Sequence, residues 1–252
     1  MALALSQVCS LIALAAATAG AQSLPPDPSG GHRLRVDATV LRPSQLIYQT
    51  TLERNATTTI IGTRTVTVSA SIYAGVRAWL VVETRAGGAI AAADSVFADT
   101  AAFHAIHWSS TLGQARLAAE FRGDTMYAAL VSPVGRRSAV SAVPSGSLVS
   151  SAMLETLLRL APLQTAWEDS ANTLSVSLGA DSVLPTRLSV IGEDVVRVPA
   201  GPFDCWVVAV HAGVARGLYW VTKRDPMVVR SALDVPLLGG AQLVNALSRA
   251  SP

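Results

Sequence analysis

Most of this chain alternates between apolar and polar residues with a period of two, in short runs separated by turn signals. The stretch TTTIIGTRTVTVSASIY (57–73) is dense in β-branched residues, and AAFHAIHWSS (101–110) alternates cleanly. Because successive side chains of a strand point to opposite faces, this pattern predicts strands with one buried face. Turn signals such as Gly87-Gly88 fall at hairpin spacing, so we expect a long run of antiparallel strands.

One segment breaks this pattern. In LVSSAMLETLLRLAPL (148–163) the apolar residues recur at helical spacing. Ser150 or Ser151 is expected to cap the helix and Pro162 to end it. The sequence therefore predicts a mainly β protein, in which a curved antiparallel sheet is covered by one α-helix near 150–161.

The N-terminal segment MALALSQVCSLIALAAATAGAQS is almost entirely apolar or small, and Ala19-Gly20-Ala21 fits a signal-peptidase site. We expect cleavage after Ala21 and a periplasmic or secreted product; the alternative is a buried N-terminal helix. The apolar run is shorter than the ~20 residues of a membrane span, so an integral membrane protein is not expected. The predicted organisation is a signal peptide (1–21), a linker (22–32), a single β-rich domain (33–236) and a C-terminal tail (237–252) that frays or forms a helical turn.

Charge and cysteine content exclude several classes of protein. Charged residues make up 14% of the chain, against ~25% in an average soluble protein, which indicates an extensive apolar interior. The net charge of +2 is too small to favour nucleic-acid binding. With Cys9 in the expected signal peptide, Cys205 has no internal disulfide partner, and the fold must be held by packing.

The strongest candidate nucleophile is Cys205, in VPAGPFDCWVVAVHAG (198–213). A catalytic cysteine needs a histidine within hydrogen-bond reach, but His211 is six residues away, or roughly 20 Å along an extended strand. The neighbouring Asp204 would raise the pKa of the thiol. We therefore interpret Cys205 as a small apolar residue packed in the curved sheet, and we predict no catalytic residues.

Other motifs for chemistry are weak. His104 and His107 are expected on opposite faces of one strand, so one metal ion cannot easily bind both. Nucleotide-binding loops, H-E-x-x-H, C-x-x-C and G-x-S-x-G are missing from the sequence. The loop at Ser145 has no histidine near it in the sequence. We therefore expect no metal and no cofactor.

The aromatic residues are candidates for the wall of an apolar cavity or for ordinary core packing. Trp206 and Trp220 are expected on neighbouring strands, where they would pair across the ladder. The predicted cavity residues, taken from the strands and the helix, are Trp79, Phe103, Leu154, Leu158, Phe203, Cys205, Trp206 and Trp220.

Two stretches of the C-terminal half, VIGEDVVRVPAGPFDCWVVAV and GLYWVTKRDPMVVRS, resemble the extracytoplasmic bacterial DUF3108 family. The similarity covers residues 150–234 well and the N-terminal strands in outline, and similar strings occur in LolA/LppX-like lipoprotein-carrier folds. The resemblance implies a half-barrel with helical cover, and the carrier folds imply acyl chains held against the concave face. The matching residues are Gly192, Glu193, Val196, Val198, Pro199, Ala200, Gly201, Phe203, Cys205, Trp206, Val208, Tyr219, Trp220, Val221, Lys223, Pro226, Val228, Val229 and Arg230.

The resulting functional hypothesis is an extracytoplasmic binding protein that holds a lipid or other hydrophobic ligand in an apolar cavity. The alternative is a non-enzymatic structural or envelope-assembly module that binds another protein by strand addition at a sheet edge.

Overall fold

The computed structural model describes residue 34 and residues 36–87, 92–176, 179, 181–235 and 238–252. These residues form one curved, open antiparallel sheet of 14 strands, with a short 3-10 helix (Ala38–Val40) and one α-helix, α1 (Ser151–Leu160). The predicted half-barrel with one covering helix is confirmed. The strands are β1 (Ser44–Arg54), β2 (Thr57–Tyr73), β3 (Val76–Ala86), β4 (Ala92–Asp99), β5 (Ala105–Leu112), β6 (Ala115–Arg122), β7 (Thr125–Ser132), β8 (Gly135–Ala142), β9 (Glu168–Val176), β10 (Asp181–Val198), β11 (Gly201–Ala212), β12 (Ala215–Thr222), β13 (Val228–Val235) and β14 (Ala241–Ser251).

The sheet consists of two meanders that meet at its centre. Strands β1–β8 form the first meander and β9–β14 the second, and they join where β1 pairs with β14. The edges of the sheet are therefore β8 and β9. The curved sheet brings β8 to the second meander, where Arg137 and Ser141 both donate at 2.5 Å to Asp181, the first residue of β10 and the partner of Val176 on β9.

The inner face of the sheet carries the main core. One row of directly paired residues crosses six strands of the first meander, and every member is buried, as the alternation of the sequence predicts. The row ends in two alanines, on β6 and β7, whose small side chains leave space above these strands. The row is Val68, Val81, Val96, Trp108, Ala119 and Ala128.

Helix α1 lies against the inner face and begins and ends as its sequence predicts. The side chain of Ser150 accepts a hydrogen bond from the Met153 amide, which caps the helix, and Pro162 follows its last turn. At its C-terminal end, Arg159 donates to Ser44 Oγ at 3.0 Å and to the Pro226 carbonyl at 3.1 Å. These bonds attach the end of α1 to the start of β1 in the first meander and to the β12–β13 loop in the second.

The C-terminal segment differs from its prediction. Instead of fraying or forming a helical turn, it forms β14, which pairs with both β1 and β13 in the middle of the sheet. Leu243 and Leu247 are buried on its inner face. Its sequence, AQLVNALSRAS, has one β-branched residue, and tertiary pairing rather than local propensity makes it a strand.

Strands β10 and β11 extend past β12 as a two-stranded ribbon. The tip of this ribbon reaches β14, where the Ala200 amide donates to the Leu247 carbonyl at 3.0 Å. Since β12 and β13 separate β11 from β14 in the sheet order, the ribbon must bend across them. Val196 and Cys205 are buried in this region.

The expected signal peptide (1–21) and linker (22–32) lie outside the described residues. In the part of the chain that the structure describes, no helix has the length and apolar character needed to cross a membrane.

Candidate functional site

A cavity of about 600 Å³ lies between the inner face of the sheet and the N-terminal part of α1. Both meanders and the helix contribute apolar walls: Leu117 and Leu130 come from the first meander, Leu174 and Val210 from the second, and Leu154 from α1. Ligand pockets in proteins typically measure ~300–1,000 Å³ and are mostly apolar. The cavity therefore has the size and lining of a small-molecule site.

The cavity lies at one end of the sheet, which we call the hairpin end. Its lining includes residues that flank the β5–β6 turn (112 and 115), the β7–β8 turn (132 and 134) and the β11–β12 turn (212 and 215). In an antiparallel meander, alternate turns lie at the same end. The C-terminal end of α1 is attached at the opposite end, so the helix covers the inner face there and the cavity remains at the hairpin end.

One wall of the cavity is polar. Arg85, Asp94, Ser110 and Ser151 all line it. Asp94 is paired directly with Ser110 on β5 and with Glu83 on β3, so these side chains share the inner face. An apolar cavity with a few polar groups on one wall suits an amphiphilic ligand better than a purely apolar one.

Behind this wall lies an ion cluster, which comprises Arg64, Glu83, Arg85 and Glu155. Arg64 donates to both oxygens of Glu155, at 2.8 and 2.9 Å, and to Glu83 at 2.8 Å. Arg85 is paired with the other oxygen of Glu83 at 2.5 Å, and Ser151 donates to Glu83 at 2.8 Å. The cluster therefore joins β2 and β3 to helix α1 at the edge of the cavity.

The two carboxylates of the cluster differ in their pKa. Burial raises the pKa of Glu83, but the positive charges of Arg64 and Arg85 outweigh burial, so that this pKa lies well below its usual value. Burial also raises the pKa of Glu155, and here Arg64 offsets it only in part, so the pKa stays above its usual value. Folding therefore disfavours the charged form of Glu155, whereas it favours the charged form of Glu83.

This cluster was not predicted from the sequence, although the sequence contains a signal for it. Arg64 has the same strand phase as Val66 and Val68, and Glu83 has the same phase as Val81. A charged residue in phase with a buried apolar row must find a partner inside the protein. Two such residues of opposite sign on adjacent strands predict a buried pair.

The family model described as "Protein of unknown function (DUF3108)" matches residues 47–240, which is most of the chain. The chain belongs to the DUF3108 family. A comparison with curated protein sequences finds no match. A DUF1329 family protein from Desulfovibrio piger, known from its crystal structure, is 10% identical, with 84% of this chain and 86% of that chain covered at a TM-score of 0.26.

In this DUF3108 protein the residues predicted to line a cavity are dispersed. Leu154 lines the large cavity. Phe103, at a positive φ of 59°, lines a separate cavity of about 20 Å³. The other six are outside the lining of both cavities. Those six are Trp79, Leu158, Phe203, Cys205, Trp206 and Trp220.

The predicted cross-strand pair of Trp206 and Trp220 is wrong. The register of β11 and β12 places Trp206 opposite Val221 and Trp220 opposite Val207, so the two indoles are on opposite faces. Trp220 Nε1 instead donates to Asp194 Oδ2 at 3.0 Å. The Lys223 ammonium lies over the ring of Trp206, 5.0 Å from the ring centroid, in a cation–π contact.

Cys205 is fully buried, and its Sγ lies 3.5 Å from the Phe203 carbonyl. Burial, with the negative charges of Asp204 and Asp194, raises the pKa of Cys205 to about 12. Nucleophilic cysteines need a lowered pKa and access to a substrate, and the buried Cys205 thiol has neither.

A serine and a histidine that are distant in the sequence meet near the start of α1. Ser145 Oγ lies 3.1 Å from His104 Nδ1. Contrary to the prediction, His104 does not share a strand with His107, because it precedes the first residue of β5. His107 lies on β5 and bonds to Glu120 at 2.9 Å. The adjoining cavity of about 20 Å³ has room for roughly one water molecule, so it offers no space for a substrate beside Ser145.

Proposed function

We propose that this DUF3108 protein is exported and binds a lipid or other hydrophobic small molecule, without catalysis, in the cavity at the hairpin end. The observation that carries the proposal is the cavity of about 600 Å³ with apolar walls from both meanders and α1. The resemblance of the C-terminal half to lipoprotein-carrier folds supports the same ligand class.

Binding would be driven by removal of apolar ligand surface from water, at roughly 25 cal/mol per Å². The loss of ligand freedom opposes it. The apolar walls come from strands of the sheet and from a capped helix, so little protein ordering is required on binding. A site of this kind selects for apolar volume, and the polar wall selects for the head group.

A non-catalytic role is supported by the candidate nucleophiles. Cys205 is buried with a raised pKa, and the Ser145–His104 pair adjoins a space of about 20 Å³. Neither group lines the large cavity. A ligand bound in the cavity would therefore contact neither Cys205 nor the Ser145–His104 pair.

Native mass spectrometry of the protein purified from its own host tests whether it carries a ligand. Displacement of a neutral fluorescent probe, 1-N-phenylnaphthylamine, measures binding by the purified protein. Leu154→Trp would fill the cavity and should weaken probe binding by about tenfold or more. Val140→Trp, on a side chain that is 69% exposed, is the matched control. A ligand-free protein that does not bind the probe, or equal affinity in Leu154→Trp, would refute the proposal.

Export is tested separately by N-terminal sequencing of the mature protein from the envelope and culture medium. A first residue of Gln22 is expected. A cytoplasmic protein with an intact N-terminus would contradict export but leave the ligand proposal standing.

A second candidate function is binding of another protein by strand addition. It is favoured by β8, an edge strand of the sheet that carries Val140, with Val134 in the turn before it 85% exposed. Val140→Pro would remove an amide donor from this edge, and it should abolish pull-down of an envelope protein while probe binding is unchanged. Persistent pull-down by Val140→Pro would exclude β8 as the binding edge.

A further inference from the structure

Arg116 and Arg216, which also line the cavity, are exposed and lie beside the β5–β6 and β11–β12 turns, so the polar wall itself holds Asp94 and the ion-paired Arg85. The ion cluster itself is balanced, with Arg64 and Arg85 against Glu83 and Glu155. Asp94 faces the same space and adds one carboxylate. The single cation of α1, Arg159, bonds to Ser44 and Pro226 at the opposite end of the sheet.

Asp94 makes no ion pair with any other described residue. Arg85 on the same wall is paired with Glu83 at 2.5 Å. Burial raises the pKa of Asp94, and a hydrogen bond with Ser110 and the positive charge of Arg85 lower it in part. The carboxyl group thus lines the cavity with a hydroxyl neighbour and without an ion pair of its own among the described residues.

Trp108 completes this wall of the cavity. Its side chain is 7% exposed and lines the cavity one strand from Asp94. The indole Nε1 is close enough to Asp94 to lower the pKa of that carboxyl, but it makes no hydrogen bond of ordinary geometry. An aromatic ring beside a carboxylate that has no ion pair of its own is an arrangement that attracts a ligand cation.

We propose that the polar wall formed by Asp94, Trp108 and Ser110 binds the ammonium head of an amphiphile whose chain fills the cavity; this rests on the proposed function. An ammonium group has three N–H donors and no acceptor, and the Asp94 carboxylate and Ser110 Oγ can both accept from it. An anionic head at the same wall would face the Asp94 carboxylate, and the Arg85 guanidinium there is already paired with Glu83.

The test compares three ligands with the same chain: dodecylamine, dodecanol and dodecanoate. Each competes with 1-N-phenylnaphthylamine for the purified protein at pH 7, below its micellar concentration. We expect dodecylamine to bind about tenfold more tightly than dodecanol, and dodecanoate to bind more weakly than dodecanol.

Asp94→Asn should remove the preference for the amine and leave dodecanol binding unchanged within about twofold. The control is Asp234→Asn, which removes one negative charge from an exposed residue that also lines the cavity. This control should keep the preference. Dodecanoate binding as tightly as dodecylamine, or an amine preference that survives in Asp94→Asn, would overturn the proposal.

The outcomes also separate this proposal from the function on which it rests. Dodecanol that binds while the amine shows no preference overturns the ammonium site alone, and failure of all three ligands overturns the ligand cavity itself. If Asp94→Asn does not fold, the wild-type protein still decides. Its preference for the amine should fall as the pH is lowered through the raised pKa of Asp94, while dodecanol binding stays constant, and a preference that does not change with pH refutes the site.

Discussion

Removal of charge from each carboxylate of the ion cluster should have very different effects on stability. Glu83 accepts from Arg64 and Ser151 and is paired with Arg85, whereas Glu155 contacts Arg64 alone in this cluster. The pKa of Glu83 lies below its usual value, so its charged form is stabilised by folding. The pKa of Glu155 lies above its usual value, so its charged form is disfavoured by folding.

The magnitudes follow from these contacts. Glu83→Gln leaves Arg85 without its carboxylate and Arg64 with one carboxylate in place of two, and disruption of a buried pair typically costs about 3–5 kcal/mol. Glu155→Gln keeps an oxygen that accepts from Arg64 and removes a charge whose burial is unfavourable, so we expect a loss of about 1 kcal/mol or less.

Urea denaturation followed by tryptophan fluorescence measures both free energies of unfolding. The control is Glu168→Gln on the exposed part of β9, which should change stability by no more than about 0.5 kcal/mol. A Glu155→Gln variant that loses as much stability as Glu83→Gln would refute the assignment of Glu83 as the principal anchor.

Three further predictions concern pH, the thiol and an indole. The raised pKa of Glu155 adds stability below the pKa that this group has in the unfolded chain, and that stability is lost as the pH rises through its pKa in the folded protein. Wild type should therefore gain stability relative to Glu155→Gln as the pH is lowered from 8 to 5. Urea denaturation at both pH values checks this, and a constant difference would contradict it. Cys205 should resist iodoacetamide at pH 8 in the native protein and react in urea, as peptide mapping will show; rapid native alkylation would contradict its burial. Trp220→Phe should lose about 1.5–3 kcal/mol with the hydrogen bond to Asp194, and a paired Asp194→Asn variant, analysed as a double-mutant cycle, should show coupling between the two residues.

The strands and the helix were predictable because their signals are local. Alternation fixed the inner row that includes Val68 and Val81, and Ser150 with Pro162 marked the ends of α1. Strand β14 was not predictable, because its residues have little β-propensity and its partners β1 and β13 include one from the opposite end of the chain.

The cavity was predictable as a feature of a curved sheet but not in its walls. Its lining comes from residues beside turns of both meanders, such as Leu112, Leu130 and Ala212, which have no common pattern in the sequence. Leu154 was identified because the apolar side of the helix was expected to cover the inner face of the curved sheet. The tryptophan residues were attractive as cavity walls by composition, but the register of β11 and β12 and the bonds of each indole direct them elsewhere.

The pairing of the first strand with the last has a consequence for how the protein matures. Until β14 has been synthesised, β1 and β13 are both open edges, and the chain consists of two incomplete half-sheets. A ribosome-bound chain that lacks β14 therefore cannot assemble the centre of its own fold. Truncation before Ala241 should yield an aggregation-prone product that depends on chaperones, whereas loss of an edge strand would leave the central seam intact.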